Sequence, residues 1–157
     1  MPVWSIWQAA FLSPHPAPHV RKSVIVSKPN IIVDAGPLVA MLDASEEANA
    51  WATQALFGVN AHFYIAYPAI VEACHLIDNH PPALAKLRRF TSRMEVIPPE
   101  PDHVFALMEK WAPRMDFADA CAVMLVNRYA NAHVLTTDHD DFSAYRVPFA
   151  SPKGDFY

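Results

Sequence analysis

The stretch NIIVDAGPLVAMLDA, residues 30–44, changes character halfway along. Ile31, Ile32 and Val33 form a short β-branched run, the pattern of a buried strand. Asp34 and Gly36 close that run, and Pro37 suits the first turn of a following helix. A strand that yields to a helix so quickly predicts a βα unit. Whether the chain repeats the unit decides its fold class.

It does repeat. Asp43 and Glu46 have capping-box spacing and predict a helix through about Phe57. AHFYIAYP, residues 61–68, alternates as a second strand. Pro68 opens an apolar helix over AIVEACHLIDNH that carries Glu72. A helix starting at Pro81 and Pro82 follows, then a short strand in MEVIPP. A helix over 102–113 has Asp102 as its cap. RMDFADACAVMLVNRYA, residues 114–130, begins with Asp116 and Asp119 and becomes a run of Ala, Cys, Val, Met and Leu, a core helix. HVLTTD forms a strand ending at Asp138, and the tail holds one more short strand. Strands alternating with helices predict an α/β fold in three layers, a central mostly parallel sheet flanked by helices.

Composition agrees. The chain has 157 residues, the size of one domain, and 53% are hydrophobic, enough for a real core. Three glycines against many alanines favour helices over turn-rich β structure. A net charge of −4 argues against holding nucleic acid by charge alone. It leaves open a nucleic-acid enzyme whose acidic site is neutralised by metal ions. Cys74 and Cys121 sit in apolar helical patterns without zinc spacing, so they read as core residues of a protein in a reducing cytoplasm. No apolar run reaches the ~18 residues of a membrane span, so no membrane association is expected.

Residues 1–29 differ in kind. Pro14, Pro16 and Pro18 forbid regular structure among them, and they read as a loosely attached extension or a start placed too early. SVIV within them suits an edge strand. The domain proper is expected over 30–157.

The acids lie where such a fold puts its chemistry. Asp34 ends the first strand and Asp138 the last long one, and sites in open α/β sheets form beyond the carboxyl ends of strands. Asp116 and Asp119 begin a helix facing that edge. Glu72 lies one turn into the helix after the second strand, among Ile70, Val71, Ala73 and Cys74, where a charge is rarely left without a partner. Each acid also has a plain reading. Asp34 and Asp138 suit turns, Asp116 and Asp119 suit a helix start, and Glu72 suits a solvated edge. Taken together, with no Lys or Arg evident among them, they suggest a hard divalent cation such as Mg²⁺ or Mn²⁺.

These segments resemble the PIN-domain nucleases, in particular VapC-type toxins of bacterial toxin–antitoxin modules. IIVDAGPLVAMLD is similar to the family's opening strand with Asp34 as its acid, and YPAIVEACHLI to the segment carrying the Glu, here Glu72. RMDFADACAV is similar to the third motif, with Asp119 as the main acid and Asp116 as its companion. VLTTDHDDFSAYR is similar to the closing segment with Asp138. The resemblance spans roughly 30–147 and has no counterpart for 1–29. It implies a Mg²⁺- or Mn²⁺-dependent endoribonuclease, an RNA substrate, a cognate antitoxin and a homodimer. Asp34 and Asp119 would bind metal directly, Glu72 would ligate it or orient the attacking water, and Asp116 and Asp138 would complete the shell. Asp34, Glu72, Asp119 and Asp138 are the catalytic set so implied. Thr136 or Thr137 adds a candidate hydroxyl, and Lys86, Arg88, Arg89, Arg93 and Arg114 are candidate phosphate contacts. The histidines have no ligand spacing. The stripe Phe105, Leu107, Met108 and Trp111 reads as core or dimer interface. A PIN nuclease without an antitoxin, in RNA processing or DNA repair, and an inactive PIN-like binding module are the rival readings.

Overall fold

A computed structural model describes residues 28–156. In chain order its elements are β1 (Asn30–Val33), α1 (Ala35–Leu42), α2 (Asn49–Phe57), β2 (His62–Ala66), α3 (Tyr67–Leu76) and α4 (Pro81–Thr91). There follow β3 (Glu95–Ile97), α5 (Pro101–Trp111), α6 (Phe117–Arg128), β4 (Ala132–Leu135), α7 (His139–Tyr145), β5 (Phe149–Ser151) and β6 (Gly154–Phe156). The strands form one sheet in the order β3-β2-β1-β4-β5-β6. Neighbours are parallel except β5 and β6, which form an antiparallel edge pair. Both faces of this sheet are covered by helices, so the expected three-layer α/β fold is present.

Successive strand residues supply the two cores. Ile32, Val134, Ala66 and Phe149 point to one face, where they meet α5, α6 and α7 through Val104, Ala120–Leu125 and Phe142. Ile31, Val33, Ile65, Leu135 and Ala150 point to the other, against Leu38, Leu56, Ala73 and Leu87 of α1–α4. A strand buried on both faces needs no polar alternation, which is why Ile31, Ile32 and Val33 read as a continuous apolar run. Residues 120–125 of α6 are all buried, so the apolar run after Asp119 is a helix enclosed by the core.

Four sequence expectations shift. Asp43 does not start α2: its Oδ1 accepts from Ser45 N at 2.8 Å and Ser45 Oγ at 2.7 Å, closing a local turn instead. The helix begins at Asn49, whose Nδ2 donates to the carbonyls of Ala40 (2.8 Å) and Met41 (3.2 Å). Asp102 lies in the first turn of α5 and not at its cap, because Pro101 already occupies the opening turn. β4 stops at Leu135, and Asp138 caps α7, a helix of 7 residues too short to show a period in the sequence. The tail holds two short strands where one was expected. The extension and its SVIV segment fall outside the described residues. Both cysteines are free; Cys121 is buried and Cys74 half-buried.

β1 lies between β2 and β4, so the chain leaves it in one direction and returns on its other side. A crevice at the carboxyl ends of β1 and β4 is the consequence. Phe142 of α7 is fully buried and meets Phe149 of β5 at 6.4 Å between ring centres. Phe142→Ala should cost about 3–5 kcal/mol in denaturant unfolding, the usual range for an emptied aromatic site; a loss below about 1 kcal/mol would show that α7 is not part of the cooperative core.

Candidate active site

Asp34 directly follows β1. Val33 is paired in register with Leu135, so the next residues, Asp34 and Thr136, leave adjacent strands side by side. The Asp34 amide donates to the Leu135 carbonyl at 3.0 Å. Its Oδ1 caps α1 by accepting from Ala35 N at 2.8 Å, and its Oδ2 accepts from the Thr136 hydroxyl at 2.8 Å. Thr136 is completely buried, and its Oγ1 also accepts from the Asp138 amide at 3.0 Å. One hydroxyl thus joins the two strand ends. Gly36 fits here: a Cβ at that position would lie 1.9 Å from Thr137 Oγ1, so any larger residue would force the Thr137 side chain to move.

Asp116 caps α6, its Oδ1 accepting from Asp119 N at 2.8 Å. Asp119 stands in the first turn and its Oδ2 accepts from the Tyr145 hydroxyl at 2.8 Å. Asp138 caps α7, accepting from Asp141 N at 3.0 Å. The plain reading of Asp116 and Asp119 as helix-start residues is therefore correct as far as it goes, and Asp138, read as a turn residue, caps a helix instead. Those same caps hold their carboxylates at the carboxyl edge of the sheet. Glu72 projects from α3 and is half-buried.

The electrostatics show which acids lie close enough to feel one another. Loss of water raises the Asp34 pKa; hydrogen bonds from Thr136 and Ala35 oppose this, and the charges of Asp116 and Asp138 add to it. Burial also raises Glu72, with Asp34 and Asp116 pushing the same way. Asp119 is pushed up to about 7, first by burial; the Tyr145 hydroxyl opposes this, and Asp116, Asp34 and Asp141 add to it. Four carboxylates from three segments far apart in the chain thus share one field, with Asp138 beside Asp34. The expectation of no cation nearby needs amendment. Arg114, a candidate phosphate contact, pairs with Asp141, which lies within reach of Asp119. Asp34, Glu72 and Asp119 have no such ion pair among the described residues.

Oxygen donors without thiolate or imidazole match a hard divalent ion. Among the described residues, no three His, Cys, Asp or Glu side chains are already drawn into a ready cage. The chemistry of the donors fits such an ion.

The other candidates are placed differently. Lys86, Arg89 and Arg93 line a cleft with Phe90 that includes none of the acids. Thr137 is exposed where Thr136 is buried. His139 Nδ1 lies 2.8 Å from Ser151 Oγ, not on an acid. Leu107, Met108 and Trp111 pack on the core, whereas Phe105 is exposed beside Phe117. The sequence reading missed Tyr145 and Asp141. Their signal lay in a helix too short to recognise.

Asp34, Glu72 and Asp119 all have folded pKa values above their ordinary ones. Such groups bind more protons folded than unfolded above about pH 4, in the case of Asp119 up to about pH 7, so they stabilise at the acidic end and that contribution is lost as pH rises. The metal-free protein should melt higher at about pH 5 than at about pH 8, and Asp119→Asn should reduce the difference. A metal-free melting temperature that climbs with pH across this range in calorimetry would show that these carboxylates are not crowded.

Neither a protein-family model nor a curated protein matches the sequence. Solved structures do. The chain is similar to VapC20 from Mycobacterium tuberculosis, a Sarcin-Ricin loop cleaving toxin, with 17% identity and a TM-score of 0.63 over 73% of this chain and 94% of that one. It is similar to a chain of VapBC-1 from nontypeable Haemophilus influenzae, with 12% identity and a TM-score of 0.53 over 78% and 97%. It is also similar to a chain of VapBC2 from Rickettsia felis, bound to a DNA fragment from their promoter, with 15% identity and a TM-score of 0.52 over 73% and 92%. At such low identity the likeness speaks for architecture, and the architecture of this chain is the PIN-like fold of the VapC toxins.

Proposed function

We propose that this protein is a Mg²⁺- or Mn²⁺-dependent endoribonuclease, a VapC-type toxin neutralised by a cognate antitoxin and acting in the cytoplasm as a homodimer. The observation that carries the reading is the meeting of Asp34, Glu72, Asp116 and Asp119 in one electrostatic neighbourhood at the crevice between β1 and β4. The fold shared with VapC20, whose description is a Sarcin-Ricin loop cleaving toxin, and with VapBC assemblies supports it.

Asp34, Glu72 and Asp119 would hold the ion, and Asp116 and Asp138 would complete its surroundings, directly or through water. Once bound, a divalent ion lowers the pKa of a coordinated water and offsets charge at the scissile phosphate. The chain's own part is to present the donors. Thr136 and the Ala35 amide hold both oxygens of Asp34 at 2.8 Å, so that carboxylate does not turn. Each carboxylate oxygen keeps a second lone pair for an ion. Glu72, which feels both Asp34 and Asp116, would ligate the ion or orient the attacking water.

Asp34→Asn and Asp119→Asn should each reduce Mn²⁺-dependent RNA cleavage at least about a hundredfold while the protein stays folded, because neutralising one acid relieves repulsion. Either variant cutting at the parent's rate removes the assignment. Millimolar Mn²⁺ should raise the parent's melting temperature, by the equivalent of about 2.7 kcal/mol at a hundred times its Kd. Co-expression with the adjacent small open reading frame, scored as rescued growth, tests the antitoxin.

A further inference from the structure

We propose that Tyr145 is a positioning residue for metal binding: its hydroxyl fixes Asp119 through Oδ2 and leaves Oδ1 as the oxygen offered to the ion. The inference rests on the metal-site reading above and adds to it a residue outside the acidic set. Tyr145 is the last residue of α7 and is buried. Edge-on contacts with Trp111 at 5.7 Å and Phe142 at 5.6 Å hold its ring on two sides. The hydroxyl has a single proton and two acceptors within reach, Asp119 Oδ2 at 2.8 Å and the Arg114 carbonyl at 3.4 Å. Distance and charge both assign the proton to the carboxylate.

A buried tyrosine needs some partner for its hydroxyl, and the simplest explanation would stop there. The rest of α7 says more. Its first turn is capped by Asp138, its middle holds Asp141 against Arg114, and its end holds Asp119. One short helix thus touches the acidic edge at both ends and fastens the segment before α6 between them. A donor that immobilises a ligating carboxylate removes the cost of ordering it when the ion arrives, and losing such a partner weakens metal binding about 10- to 100-fold.

The experiment measures Mn²⁺ affinity by calorimetry, together with thermal melting of the metal-free proteins, in the parent, Tyr145→Phe, Phe142→Leu and Asp119→Asn. Tyr145→Phe keeps the ring and its packing; it should bind Mn²⁺ at least about tenfold more weakly with little change in metal-free melting temperature. Phe142→Leu keeps the hydroxyl and disturbs the packing; it should melt lower and bind Mn²⁺ within about threefold of the parent. Asp119→Asn should lose the site. If Tyr145→Phe binds Mn²⁺ like the parent, or fails to fold, the hydroxyl is a packing group and the proposal falls while the metal site stands. If Asp119→Asn also binds like the parent, the metal-site reading fails and takes this proposal with it.

Discussion

Parallel pairing of β1 with β4 is the constraint from which the rest follows. It brings two strand ends to the same level, so Asp34 meets the buried hydroxyl of Thr136 at 2.8 Å although 102 positions separate them. A carboxylate at that point loses water on one side and faces others of its own sign on the next. Two hydrogen bonds offset part of the cost and leave its pKa raised. A fold selected for stability alone would place a neutral side chain there. Departures of this kind from local consistency are expected where a protein has something to bind.

Three of the acids share a structural duty. Asp34, Asp116 and Asp138 cap α1, α6 and α7, so three helix N-termini approach the same edge. The positive ends of these helices partly compensate the gathered negative charge. Capping and ion binding are therefore not competing explanations for the same residue. The cap fixes where the carboxylate stands, and its remaining lone pairs decide what it can hold. Asp119 and Glu72 lack this duty, and burial is the first cause of the raised pKa of each. Asp119 depends instead on the hydroxyl of Tyr145.

Much of the fold was legible because its strongest signals are local. Uninterrupted β-branched runs such as Ile31–Val33, proline at helix starts and an apolar segment beyond Asp119 each reflect backbone preference or burial on a whole face. The misreadings share a cause. Asp43 and Asp138 are polar residues that serve equally as turn formers, caps or strand ends, and neighbours in space make the selection. Asp43 found Ser45; Asp138 found the amide of Asp141. Helix α7 escaped notice because 7 residues give too few turns for a period. Tyr145 and Asp141 escaped with it.

The amino-acid order by itself determined the alternation of strands and helices, the apolar faces that force a sheet into the middle layer, and which acids sit at element ends. These depend on interactions within a few residues, where spacing is information enough. Tertiary structure decided which acids meet, that Thr136 and not Thr137 serves Asp34, that Arg114 belongs to Asp141, and that Tyr145 reaches Asp119. Each of those is a contact between segments distant along the chain. Its geometry depends on sheet register and helix packing, which no local pattern records.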